Sequence, residues 1–434
     1  MKSHSESPWL APWEQEEVIG RLIEFNADLL RWDCKRNLQL KSGGKTDIYV
    51  NLRNARDCPQ ALNYLAKIYR NPLLRLNVDR FTEVPDSVSC FTGNLSALTN
   101  IPMITIRSEP KEGRVSKAKI IGKTFPNEKI GIIDDVITDG TSKYDSISEC
   151  LRRGLNLTPI IVLVDRQQGW KEVFQDRGIA LDVWPGMTLH DIRKYLINHE
   201  IMPRCNNELE ERNPLVVALD NMNWEKILQI VDPLRTTGCI LKVNDALFEK
   251  GMDLIENLKI YGRVVADLKS HDIPNTVANI CAKLTKYQPW GITVHGSGGE
   301  DMIKAAVNAV VGTKIKIFAV TVLTSMKDDC EEVYTRRPLE QAIAIARIAK
   351  RAGAHGLVSS PEEIKELKKV APKMEIFTPG IRSADVSKDD QQRTSTPEGA
   401  LELGADYIVM GRELTNDPDP AKKALEILKR IGFL

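Results

Sequence analysis

No two of the eight cysteines form a C-x-x-C pair; they scatter from Cys34 to Cys330. Neither a zinc site nor a disulfide framework is indicated, and reduced thiols are expected. Also missing is any apolar run near the roughly 20 residues that cross a bilayer. The opening segment MKSHSESPWLAPWEQEE has no apolar run behind its charges, so no signal peptide is expected. Charge of one sign is not in excess: the net charge is +1 with 27% charged residues, which signals neither nucleic acid nor membrane as a partner. With no export signal, reduced thiols in a cytoplasmic protein are the expectation. What is present is ample apolar material, 42% of 434 residues, more than one core usually organises.

Two domains are therefore expected. The polar stretch around Met202-Pro203-Arg204 and Glu210-Glu211-Arg212-Asn213 ends abruptly at the apolar run Leu215–Leu219. It is predicted to be a linker over 201–213, between a domain of residues 1–200 and one of residues 214–434. Beyond it, short apolar runs alternate with amphipathic segments. They are Leu215–Asp220, Cys239–Val243, Val264–Lys269, Gly291–His295, Ile317–Leu323, Gly356–Ser359, Ile376–Gly380 and Tyr407–Gly411. That pattern predicts a (β/α)8 TIM barrel, whose strands are buried on both faces and whose chemistry sits at their C-terminal ends. The first domain is predicted to be an open α/β sheet. Ile101–Ile106, Lys129–Ile137 and Leu157–Val164 read as buried parallel strands, and Tyr144–Leu155 as a crossover helix.

Two segments carry chemistry. In Val264-Val265-Ala266-Asp267-Leu268-Lys269-Ser270-His271-Asp272, alternation on a strand puts Asp267 and Lys269 on one side. Asp272 follows just past the strand end, and Lys242 on the preceding strand extends the charge array. Solvated ion pairs are the competing reading. Placement at a barrel mouth favours a substrate-facing array instead. In the first domain, Ile130–Ile133 leads into Asp134-Asp135-Val136-Ile137-Thr138-Asp139-Gly140-Thr141-Ser142. Loop N–H groups at a helix start suit a phosphate, and paired acids suit ribose hydroxyls. A capped strand–helix turn is the competing reading there.

The second half resembles orotidine 5′-phosphate decarboxylase. The resemblance rests on V-A-L-D at Asp220, L-K-V at Lys242, D-L-K-S-H-D-I-P-N-T, T-V-H-G-S-G-G, L-T-S-M at Thr324, T-P-G-I-R at Arg382, D-D-Q-Q-R at Gln391 and I-V-M-G-R at Arg412. It implies that Lys269 delivers a proton to C6 while Asp267 faces the substrate carboxylate. Lys242 and Asp272 would complete the network, with Asp272 and Thr276 coming from a neighbouring subunit. Asp220 and Lys242 would hold the ribose, Thr324 the pyrimidine, and Arg382, Gln391, Gly411 and Arg412 the 5′-phosphate. The polar segment Ser383–Gln392 is the expected lid. No metal or organic cofactor is implied for this reaction.

The first half resembles orotate phosphoribosyltransferase, through L-K-S-G-G-K-T-D-I-Y-V-N-L-R, I-P-M-I-T-I-R-S-E-P-K, the D-D-V-I-T segment and V-D-R-Q-Q-G. The implied fold is phosphoribosyltransferase-like. Lys41, Tyr49, Arg107 and Lys111 would serve substrate, with Lys111 on a catalytic loop; Lys41, Arg107 and Lys111 would face pyrophosphate. Asp134 and Asp135 would take ribose, Thr138, Gly140, Thr141 and Ser142 the 5′-phosphate, and Arg166 the orotate carboxylate. Mg2+ is the implied cofactor. Together the halves resemble bifunctional uridine 5′-monophosphate synthases, with orotate, phosphoribosyl pyrophosphate and orotidine 5′-monophosphate as the small-molecule partners. A homodimer or higher homo-oligomer is expected. The match departs at Ser108, Gly113 and Asp86, which leave fewer cations for pyrophosphate. A non-catalytic nucleotide-binding or assembly module is the alternative expectation for this half.

Overall fold

The computed structural model describes residues 7–33, 36–39, 45–107, 119–204, 207–326, 329–383 and 395–434. Lys41, Ser108, Lys111, Gly113, Gln391 and all of the expected lid after Ser383 lie outside them. Two compact units divide between Met202 and Pro203. Among the described residues no helix is long and apolar enough to cross a membrane.

In the first unit, parallel strands run in the spatial order Val183–Thr188, Ile160–Asp165, Lys129–Ile137, Arg80–Glu83. Pro159, which has no N–H to give a ladder, splits the expected Leu157–Val164 into Asn156–Leu157 and Ile160–Asp165. The expected parallel strand Ile101–Ile106 needs correction. It meets the sheet through an isolated bridge between Phe81 and Met103. Its end, Thr105–Ile106, pairs antiparallel with Ile120–Ile121. Pro102 lacks a donor, so this edge cannot form a full ladder. The crossover helix is Tyr144–Arg152, shorter than expected because Gly154 turns the chain with φ 71°. Trp9 anchors the N-terminal segment: its indole N–H donates to Val162 O and Trp184 O at 3.2 and 3.1 Å.

The second unit is a closed barrel of eight parallel strands in sequence order. They are β1 Leu215–Ala218, β2 Ile240–Val243, β3 Val264–Ser270, β4 Gly291–His295, β5 Lys316–Val320, β6 Gly356–Val358, β7 Glu375–Thr378 and β8 Tyr407–Met410. Val216, Ile240, Val265, Phe318, Val358, Phe377 and Val409 fill its interior. Several strands stop one to three residues before the sequence patterns do. Asp220, Ser359 and Thr324 therefore fall on the loops of the barrel mouth rather than on strands. The stretch 203–213 belongs to the barrel unit and carries the helix Asn207–Arg212. Its polarity is divided: Glu211 and Arg212 are exposed, whereas Glu210 and Asn213 are buried. The fully buried Asn213 side chain donates to Thr237 O and accepts from Leu215 N–H, both at 2.8 Å. Gly238 is needed beneath it: φ is 71°, and a Cβ there would meet Glu210 N at 2.8 Å.

Candidate active site

Four charged side chains form a continuous network at the barrel mouth. Lys242, on β2, donates from Nζ to Asp220 Oδ1 and Oδ2 at 2.8 and 2.9 Å. The same ammonium lies 3.0 Å from Asp267 Oδ2, and Lys269 Nζ reaches that oxygen at 2.8 Å. The alternation + − + is therefore shared through one carboxylate oxygen. Burial pushes the Asp267 carboxyl up, but Lys242 and Lys269 outweigh it and hold the group at about 2. Burial pulls Lys242 down, yet Asp267 and Asp220 outweigh it and keep its ammonium above the usual lysine value. Both shifts favour the charged forms, so Lys242 and Asp267 stay ionised through the neutral range.

Asp267 and Lys269 face the same side, but not by simple strand alternation. Lys269 has φ 48°, in the left-handed region, and the β3–β4 register shifts between Ala266 and Ser270. For a residue with a Cβ that conformation costs about 1–2 kcal/mol, and such strain gathers at functional sites. Thr293 on β4 stabilises it. Its hydroxyl accepts from Lys269 N–H at 2.9 Å and donates to Asp267 Oδ1 at 2.8 Å. Thr293 opens the T-V-H-G-S-G-G motif, two residues before His295 on the same face of β4, but the motif assigns it no role. His295 stacks on His271 with ring centroids 5.1 Å apart, and its Nδ1 lies 2.6 Å from Ser297 Oγ. Burial, then His271 and Lys269, pull the His295 imidazole below its ordinary value.

A cavity of about 690 Å3 opens above this network. Asp220, Lys242, Asp267, Lys269, Thr324, Arg382, Gly411 and Arg412 all line it. Ser359 and Thr415 line it too, unannounced by any motif. Each is 1% exposed, and neither hydroxyl finds a partner among the described residues. Orphaned buried hydroxyls in a cavity wall suit a polar ligand. The two arginine loops are tied together by Glu413, whose carboxylate accepts from Ser383 N–H at 2.8 Å and Ser383 Oγ at 2.5 Å. Asp272 is exposed, accepts from Ile273 N–H at 2.7 Å, and is not part of the cavity wall; Thr276 also lies outside it. One chain alone does not bring these two to the array.

In the first unit, Asp134 and Asp135 sit near the end of strand Lys129–Ile137 and are buried. Asp134 is ion-paired with the buried Lys143, whose ammonium also donates to Val136 O and Ser142 Oγ at 3.0 Å. Burial, then the Asp134 charge, push Asp135 up to about 7. Burial, then Asp86, push nearby Glu83 to about 7 as well. Residues 138–142 form the expected tight loop, with Gly140 at φ 77°. Its Thr141 N–H and hydroxyl donate to Asp139 Oδ1 and Oδ2 at 3.0 and 2.9 Å. An acid inside the loop was visible in the sequence, but its role as the loop's own anion was not. Arg166 is buried and donates to Ile48 O at 3.1 Å and Thr46 Oγ1 at 2.9 Å. It braces the strand Ile48–Val50, which carries the half-buried Tyr49. Arg107 is half-buried and pairs its backbone N–H with Lys119 O at 2.9 Å.

Comparison with known proteins agrees with the barrel. Residues 213–427 match the orotidine 5′-phosphate decarboxylase / HUMPS family. The orotidine 5′-phosphate decarboxylase of Saccharophagus degradans is 42% identical over 225 residues, covering 50% of this chain and 94% of that protein. That of Pseudomonas paraeruginosa is 39% identical over 228 residues, covering 51% and 98%. A crystal structure of orotidine 5′-phosphate decarboxylase from Lactobacillus acidophilus shares 36% identity over 50% of this chain and 98% of its own, with a TM-score of 0.44. These relatives span only the second half of the chain. With its lysine–carboxylate array at the mouth of a parallel barrel, that half of the chain belongs to the orotidine 5′-phosphate decarboxylase family and is a decarboxylase of pyrimidine biosynthesis.

Proposed function

We propose that Lys269 is the proton donor of the decarboxylation and that Asp267, Lys242 and Asp220 hold it in place. The carrying observation is the Lys269 ammonium, 2.8 Å from Asp267 Oδ2 on the wall of the cavity. The C6–carboxylate bond of orotidine 5′-monophosphate breaks, its electron pair stays on C6, carbon dioxide leaves, and Lys269 gives C6 its proton. Two carboxylates 4 Å apart repel by about 4 kcal/mol at an effective dielectric of 20. Enzymes commonly lower barriers by roughly 8–23 kcal/mol. The Asp267 charge is moreover shared by two ammoniums, which weakens its push on the substrate. Stabilisation of the C6 anion by Lys269 therefore supplies the larger part. Thr324 meets the pyrimidine, Asp220 and Lys242 the ribose, and Arg382, Gln391, Gly411 and Arg412 the phosphate. Asp272 and Thr276, outside the cavity of their own chain, complete a partner's site in a homodimer. Lys269→Ala is expected to lower kcat by at least about 1000-fold while binding of uridine 5′-monophosphate survives. Near-normal turnover would overturn this role.

For the first unit, the reading as an orotate phosphoribosyltransferase is supported by its parallel sheet and the acids at a strand end. A second reading, a non-catalytic module with a role in assembly, is favoured by the loop itself. Asp139 already supplies an anion to Thr141, and Lys143 already neutralises Asp134. Magnesium is usually held by one or two carboxylates together with substrate phosphates; here it would have Asp135 and would compete with Lys143 for Asp134. Assaying the two reactions separately decides between the readings. Orotate consumed with phosphoribosyl pyrophosphate and magnesium removes the second; turnover of orotidine 5′-monophosphate alone removes the first. A cytoplasmic setting accompanies both, in keeping with the free cysteines among the described residues.

A further inference from the structure

We propose that Thr293 is a positioning residue of the decarboxylase, one hydroxyl that sets both the carboxylate of Asp267 and the backbone of Lys269. The inference rests on the decarboxylase reading and goes beyond the residues given a role in it. Three observations carry it. Thr293 is 1% exposed, so its hydroxyl has no water to fall back on. That hydroxyl gives its proton to Asp267 Oδ1 at 2.8 Å. It receives the Lys269 N–H at 2.9 Å, at the residue where the backbone takes φ 48°.

The division of bonds is complete. Asp267 Oδ2 serves the two ammoniums, and Oδ1 serves the hydroxyl. A hydroxyl has one proton and two lone pairs, so Thr293 can serve as donor and acceptor at once. The β3–β4 ladder cannot take the Lys269 N–H, because the register shifts there. Without the hydroxyl the carboxylate plane is free to turn, and the backbone carrying the proton donor loses its cross-strand bond. The ammonium then spends less time within reach of the position C6 will occupy. Misplacement of a catalytic group on the ångström scale costs up to about 100-fold in rate.

Thr293→Val keeps the shape and removes the hydroxyl; Thr293→Ser keeps the hydroxyl and removes the methyl. In the full chain, the valine variant is expected to lose roughly 10–100-fold in kcat with KM for orotidine 5′-monophosphate changed less than about threefold. The serine variant is expected to stay within about threefold of the parent in kcat. Thr293→Ala is read in the same way if the valine variant does not fold. A valine variant with parental kcat overturns the proposal. So does a rise in KM at constant kcat, or a serine variant as slow as valine, which would assign the effect to packing of the methyl. If the parent chain fails to turn over orotidine 5′-monophosphate, the decarboxylase reading falls instead, whatever the variants do.

Discussion

Replacing Asp267 by asparagine tests whether the array is held together by its central charge. Asp267 is 5% exposed and lies within 3.0 Å of Lys242 and 2.8 Å of Lys269. In the variant the two ammoniums face each other across a neutral amide. At a separation of 4 Å and an effective dielectric of 20 their repulsion is about 4 kcal/mol. Removing one partner of a buried ion pair costs about 3–5 kcal/mol in measured cases. Taking about 3 kcal/mol, at about 2–4 °C per kcal/mol for a unit of this size, the barrel should melt about 6–12 °C lower at neutral pH. Differential scanning calorimetry of the full chain reads this, and the barrel transition is the one raised by uridine 5′-monophosphate.

The pH dependence carries a second sign. In the parent, the Asp267 carboxyl at about 2 lies below its unfolded value, so its contribution is present at neutral pH and lost only as pH falls through about 2. Lys242 is held above its usual value by Asp267 and Asp220 against burial. Its contribution is present at neutral pH and is lost only as pH rises through that raised value. With Asp267 gone, only Asp220 opposes burial, so the Lys242 value falls below that of the parent. The stabilisation Lys242 adds is then smaller in the variant at neutral pH, and the parent loses its advantage as pH rises through its own raised value. The gap between variant and parent should therefore narrow from neutral towards alkaline pH. A variant melting within about 2 °C of the parent at neutral pH, less than about 1 kcal/mol, refutes the reasoning. A gap that widens towards alkaline pH refutes it equally.

Arg412→Ala should reduce kcat/KM for orotidine 5′-monophosphate by roughly 100-fold or more yet barely change the slow decarboxylation of phosphate-free orotidine, because remote binding energy is used at the reacting carbon. Equal losses on both substrates would place Arg412 outside phosphate recognition. Gly140→Ala should destabilise the first unit by about 2–4 kcal/mol, combining a left-handed backbone with overpacking. The added Cβ would meet Phe174 Cε1 at 2.4 Å, at φ 77°. Calorimetry of that variant showing an unshifted first-unit transition would mean the loop relaxes freely.

The residues that sequence alone placed correctly are those whose signal is local. Continuous apolar runs such as Gly291–His295 mark strands buried on both faces, and eight of them in order leave a closed barrel as the natural arrangement. The D-x-K spacing put Asp267 and Lys269 together although the backbone between them departs from a regular strand. Prolines set limits that were readable in principle, at Pro102 and Pro159, but an apolar run masks a missing donor. The polar stretch 203–213 misled because composition does not say whether a polar group meets water or a buried partner. Asn213 meets Thr237 O.

The sequence by itself determined the two-unit organisation, the barrel and the identity of the charged array. Only the tertiary structure decided how that array is held. Thr293 meets Asp267 across 26 residues, and Lys242 meets Asp220 across 22. It also decided that Asp139 and Lys143 turn inward onto the loop and strand where a substrate was expected. The physical reason is that hydrophobic period reports which face of an element is buried, whereas a hydrogen-bond partner depends on strand register and on the direction of individual side chains.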